Sequence, residues 1–281
     1  MLLPTSPTRQ KLSDVFGFPV PMAFTELFEI LYAINSDKQS VDELFTTVFD
    51  YDLAAGDIRY QQTPPELFPF ISTGVDGEHY GYVIHVPDIQ PSDYPVASLC
   101  PMDRGGVGFT GETTREAVEN ILSFRLRYNS VEDIPSEFWR FCEAYGIHPD
   151  VEKATRRYTP EGNHRLVLPT VPQGWRYFPT TDGIGVLAPR DAFSSVDHSP
   201  DGLETAEMHS QAVAALRAGY PGTALYYLRE AYWWEWTGDP AFVREICWQL
   251  IATYQALRRP LLMLEVERRI SEFYTEHGEV G

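Results

Sequence analysis

Lysine is nearly missing from this 281-residue chain: only Lys11, Lys38 and Lys153 occur, and every other basic residue is an arginine. Positive charge of any kind is scarce, with 22 Lys+Arg against 40 Asp+Glu and a formal net charge of −18. So acidic a surface repels phosphate backbones, which argues against general nucleic-acid binding. None of the three lysines follows a glycine, so a Walker-type phosphate loop would lack its amine. Cysteine is sparse as well. Cys100, Cys142 and Cys247 lie far apart with no C-x-x-C spacing, which removes zinc knuckles and dithiol redox sites and fits a reduced compartment. No apolar run approaches the roughly 18 residues that span a bilayer, and Met1 to Thr5 is too short an apolar stretch for a signal peptide. The expectation is a soluble, cytoplasmic protein with no membrane contact.

Aromatic residues, by contrast, are plentiful. Sixteen Phe, sixteen Tyr and six Trp supply a packed core and exclude whole-chain disorder. Three zones follow, with net charges of about −10, −4 and −4. In the first, residues 1 to about 128, Phe24, Leu27, Phe28, Leu31 and Ile34 recur at helical spacing after Pro19 and Pro21. Ser40 with Glu43 forms a capping-box pattern opening a second helix that carries Leu44, Phe45 and Val48. Tyr80 to Val86 reads as a strand after a turn at Val75-Asp76-Gly77-Glu78, and Pro95 to Leu99 and Val107 to Phe109 read as two more. Thr113 with Glu116 caps a further helix bearing Ala117, Val118, Ile121, Leu122 and Phe124.

The middle zone, about 129–202, holds a helix from Ser136 to Gly146 and short strand candidates at Arg165 to Leu168, Trp175 to Phe178 and Ile184 to Leu187. Ser194 to Gly202 reads as a linker. The last zone is helical throughout, with helices at Glu204 to Ala218, Pro221 to Trp236, Pro240 to Arg258 and Pro260 to His277. The division expected is one α+β domain over 1–200, its core at 20–128 with 129–200 as an extension, and a four-helix region over 203–281.

Few motifs carry chemistry. Gly106-Val107-Gly108-Phe109-Thr110-Gly111 has dinucleotide-site form, but Pro101 and Asp103-Arg104-Gly105 interrupt the strand that should precede it. An edge strand leading into a capped helix accounts for it. No G-x-S-x-G or H-E-x-x-H occurs, and Ser195, Asp197 and His198 read as linker. His79 and His85 share one face of the expected strand, with Asp76, Glu78 and Asp88 near, which leaves a metal as a minor alternative to packing. No catalytic residue and no cofactor are expected.

The order and punctuation of Leu67 to Phe124 resemble the SUKH superfamily, whose bacterial members are mostly toxin-immunity proteins. The likeness lies in Leu67-Phe68-Pro69-Phe70, Ser72 to Tyr80, the strand Tyr82 to Val86, Pro95-Val96, Val107-Gly108-Phe109 and the closing helix Thr113 to Phe124, with Phe24 to Asn35 as the opening helix. The resemblance implies an α+β domain with a mixed sheet and flanking helices that binds another protein. The last zone resembles a tetratricopeptide unit: Ala212, Gly219, Ala224 and Ala231 fall where small residues let two helices approach, while Met263 and Ile270 depart from the pattern. Fewer than about three such repeats do not stand alone, so this region must lean on other structure.

On a helical wheel, Arg229, Glu230 and Glu235 scatter among Tyr226, Tyr227, Tyr232, Trp233, Trp234 and Trp236 with no continuous polar face. Such a helix is either sandwiched inside the protein or an aromatic anchor for a partner. The expected function is non-catalytic protein binding, most concretely by an immunity protein facing a basic toxin domain, with Asp76, Glu78, Asp88, Asp93, Trp233 and Trp234 as candidate partner-binding residues. The alternative is a regulatory scaffold whose helical region holds a peptide or forms a homodimer.

Overall fold

A computed structural model describes residues 8–35, 40–54, 59–60, 63–87, 92–101, 106–152, 171–195, 199–235 and 238–276, with side chains to residue 271. The chain divides into two compact units. The first comprises 1–60, 67–84 and 89–159, and the second 61–66, 85–88 and 160–281.

The first unit is an α+β body. Helix α1 (Arg9–Phe16) begins where Thr8 accepts a hydrogen bond from the Lys11 amide and ends at Gly17 in a left-handed conformation. Helix α2 (Met22–Ile34) follows Pro21, and α3 (Val41–Phe49) opens on a complete capping box in which Ser40 and Glu43 bind each other's amides. Strands β1 (Asp52–Leu53), β2 (Leu67–Ser72), β3 (His79–Val83), β4 (Val96–Leu99) and β5 (Val107–Gly111) form a five-stranded sheet in sequence order. Where the resemblance implied a mixed sheet, every pairing is antiparallel. The strands meet their chain neighbours as a meander, which needs none of the long crossovers that parallel pairs require.

Every residue of β3 and β4 is buried, so both faces of the sheet centre are covered. Gly81 in β3 is set by close approach, since a Cβ there would lie 2.7 Å from the Phe68 carbonyl oxygen. Aromatic rings fill the core beside the sheet: Phe24 lies 5.0 Å from Phe16, 5.0 Å from Phe28 and 5.3 Å from Phe70 between centroids, and Phe70 stacks on Tyr82 at 4.7 Å. Helix α4 (Thr114–Tyr128) starts at the expected Thr113 cap, but the Glu116 carboxylate reaches back to the Glu112 amide rather than to Thr113. Helix α5 (Ser136–Tyr145) stops at left-handed Gly146. The G-x-G-x-x-G string is edge strand β5 leading into α4, as a turn-and-strand reading requires.

The second unit pairs β6 (Trp175–Phe178) with β7 (Val186–Pro189) and adds α6 (Thr205–Arg217), α7 (Pro221–Glu235), α8 (Pro240–Ala256) and α9 (Pro260–Glu276). The boundary therefore falls earlier than residue 200. The β6–β7 hairpin belongs with the helices because β7 packs on α7. The strand expected at Arg165 to Leu168 lies outside the described residues, as do residues 196–198 of the linker. Ala212, Ala224 and Ala231 are buried in the α6–α7 hairpin, which turns at left-handed Gly219. The α8–α9 corner is closed by the Arg259 amide donating to the Tyr254 carbonyl, which forces Arg258 to φ 57°. Glycine carries no Cβ penalty in that conformation. Arg258→Gly is therefore expected to raise unfolding free energy by about 1 kcal/mol, read from urea denaturation, and an unchanged or lower value would contradict this account.

Candidate partner-binding surfaces

Of the residues proposed from sequence, Asp76, Glu78 and Asp93 belong to the first unit and Trp233 and Trp234 to the second. Asp76 stands exposed at the tip of the β2–β3 turn, where it and Gly77 take φ 49° and 70° and the Glu78 amide donates to the Val75 carbonyl at 2.8 Å. This is the left-handed two-residue turn that suits a hairpin. Gly77 suits that conformation, and a Cβ there would also meet the Tyr60 ring at 2.6 Å unless that half-exposed side chain moved aside. Glu78 is half-buried beside the turn, and Asp88 lies outside the described residues. Asp93 has an internal role: its carboxylate accepts from the Thr114 amide at 2.8 Å, from the Thr114 hydroxyl, and from the Tyr94 amide at 2.9 Å. It joins the loop before β4 to the start of α4. Burial still pushes its carboxyl above the ordinary range, against those three bonds.

His79 and His85 do not share a strand face. Strand β3 stops at Val83, and the chain then enters the second unit, to which His85 belongs. Val86 therefore continues no strand, although the run from Tyr80 has strand composition. His79 Nδ1 lies 2.8 Å from the Gly77 carbonyl oxygen, with its ring stacked near Tyr60. Among the described residues, no group of three His, Cys, Asp or Glu side chains gathers as metal ligands would.

A groove of about 660 Å³ in the first unit brings together carboxylates that the sequence left scattered. Asp42, Glu43 and Asp50 come from α3 and its end, and Asp133 from the turn before α5. Arg125 of α4 is the one cation in this lining, and its guanidinium donates to the Thr47 carbonyl. Glu43 is held below the usual carboxylate range by its bonds to Ser40, so it stays charged. Asp42 is pushed the other way by burial.

In the second unit, α7 is buried nearly all round, as its wheel suggests. Trp233 is 6% exposed and Trp234 is 56% exposed, while Trp236 lies outside the described residues. Sequence reasoning missed what the polar residues of this helix do. Arg229 is fully enclosed and pairs with both Glu66 and Asp182. Glu66 also accepts from the Tyr254 hydroxyl at 2.7 Å, and Asp182 from the Thr180 hydroxyl at 2.6 Å and the Ile184 amide at 2.9 Å. Arg259 donates to the Leu187 carbonyl, and Arg269 to the Tyr232 hydroxyl at 3.1 Å. Burial lowers Arg229, and it takes Arg259 down to about 10, which still leaves Arg259 charged at neutral pH. The signal was present: two opposite charges on a helix otherwise packed with aromatic rings call for buried partners.

No family model matches the chain, and no curated protein matches it. Fold and surfaces define the class: an α+β unit with an acidic groove, interleaved in sequence with a helical unit built on a buried ion cluster. Among the described residues, no helix is long and apolar enough to cross a membrane.

Proposed function

We propose that the chain is a non-catalytic protein-binding protein, a cytoplasmic immunity protein that neutralises a basic bacterial toxin domain. The observation that carries this reading is the groove at Asp42, Glu43, Asp50 and Asp133, with its single, internally bonded arginine. Complementary charge speeds encounter with a basic domain and fixes its register. The resemblance of residues 67–124 to SUKH proteins agrees with it, and so does the closed Arg229 cluster, whose groups bind one another as structural groups do.

The test is co-purification with the products of neighbouring genes, and growth rescue against any toxin found among them. Asp133→Lys combined with Asp50→Asn is expected to weaken binding at least tenfold and to slow association most at low salt. Asn suits the left-handed position of residue 50. Unchanged affinity in that variant would remove the groove from the reading, and no binding to any neighbouring gene product would remove the immunity role. Exposed Trp234 favours the second reading, a scaffold that binds a peptide or dimerises through its helices. A concentration-dependent dimer lost in Trp234→Ala would select it.

A further inference from the structure

A cleft of about 340 Å³ opens in the second unit between the start of α6 and the last turns of α7. Thr181, Met208 and residues 200–205 line it together with Glu230 and Trp234 of α7. Its volume falls in the range of small-ligand sites. Three carboxylates reach it, Asp201, Glu204 and Glu230, and its lining holds no basic side chain.

These acids are not equivalent. Glu204 is engaged in the capping box that starts α6. Asp201 is exposed. Glu230 is only 3% exposed, yet it lines the cleft. Its Oε1 accepts from the Thr181 amide at 2.7 Å, and the Thr181 side chain bonds to the same carboxylate. Arg229, the adjacent cation, is bound to Glu66 and Asp182 instead. Burial pushes the Glu230 carboxyl up, and the charge on Asp201 adds in the same direction. A buried carboxylate met only by neutral donors such as those of Thr181 still lacks a counter-charge, and a cation entering the cleft would supply it. The same wall, one turn further along α7, supplies the second half of such a site. Trp234 is exposed on the same cleft, and an indole face attracts cations more strongly than other aromatic faces do.

We propose that this cleft binds an organic cation, a guanidinium or alkylammonium group held between the Glu230 carboxylate and the Trp234 ring. The same head group can come from a free small molecule or from an arginine or lysine side chain of another protein. The site lies in a different unit from the acidic groove and does not depend on the immunity reading. Its failure and the failure of that reading are therefore separable.

The experiment is calorimetric titration of the full chain with arginine amide, tetramethylammonium and an acetylated arginine-containing tetrapeptide, against sodium chloride of equal ionic strength. Saturable binding of at least one organic cation is expected, with none for sodium. Trp234→Ala and Glu230→Gln should each weaken it tenfold or more, whereas Trp234→Phe, which keeps a ring face, should weaken it less. Circular dichroism melts check that each variant is folded; position 234 is exposed, so its variants keep the test usable even if Glu230→Gln unfolds. Binding by the free cations assigns a small-molecule ligand, and binding by the peptide alone assigns a side chain of a partner. No saturable binding by any probe, or binding that survives Trp234→Ala unchanged, overturns the proposal.

Discussion

Replacing Arg229 with alanine is expected to destabilise the second unit by roughly 3–5 kcal/mol, the range for removing one member of a buried ion cluster. The loss comes chiefly from what remains. Glu66 and Asp182 stay buried, and their carboxylates face each other's charge without the guanidinium that joined them. Tyr254 and Thr180 still donate to them, but those hydrogen bonds do not replace the lost charge, and Asp182, which burial already pushes up to about 7, is driven to take up a proton. A compensated variant separates this cause from lost attraction. Arg229→Met with Glu66→Gln and Asp182→Asn keeps acceptors for Tyr254 and Thr180 and removes every net charge, so it should recover most of the stability. Urea unfolding free energies, with amide hydrogen exchange in α7 as the local probe, decide the matter. A compensated variant as unstable as Arg229→Ala would show that packing, not charge, sets the cost.

Acid is expected to unfold the second unit through His85. This side chain is 5% exposed, and neither ring nitrogen has a hydrogen-bond partner among the described residues. Burial holds its pKa down to about 3 from the ordinary 6.5, and the charge on Arg259 adds to the effect. Tyr177 is its ring neighbour at 6.3 Å, and brings no charge that would stabilise the imidazolium. The folded chain therefore keeps His85 neutral at pH values where the unfolded chain protonates it. The unfolded state binds more protons between about pH 6.5 and 3, so this contribution to stability is complete above that window and is lost as pH falls through it. Its steepest slope is about 1.4 kcal/mol per pH unit. His85→Leu removes the titrating group and an unsatisfied imidazole, so it should cost little at pH 7 and flatten the acid limb. Unfolding free energies at pH 7, 5 and 4 for both proteins provide the check, and parallel pH profiles would exclude His85 as the cause.

Much of the fold was readable where a local rule determines it. Ser40 with Glu43 marks a helix start because both bonds form within one turn. The four C-terminal helices follow from proline and glycine at their ends. Helix α1 and the two-residue β1 were not anticipated, since eight polar-rich residues and two strand residues carry too little periodicity. The run Tyr80 to Val86 looks uniformly like strand, but tertiary structure ends β3 at Val83. The site was less legible than the fold. Asp93 reads as a surface acid, yet it meets Thr114 only after the loop before β4 folds back. The carboxylates at Asp42, Asp50 and Asp133 become neighbours only when α3 and the turn before α5 pack together. For Arg229, composition indicated that partners must exist, but nothing in spacing could nominate Glu66.

Glu66 is also where the order of the chain matters most. It sits just ahead of β2, far upstream of the helices whose central charge it balances, and His85–Asp88 likewise joins them from between β3 and β4. The helical unit is thus not a cassette that recombination could lift out or exchange by one crossover. A break at residue 160 separates Arg229 and Tyr254 from their carboxylate. Grafting these helices onto another protein would need Glu66 replaced by an acid from the new host, and descent with change in this architecture should keep residues 66, 182 and 229 together or alter them together.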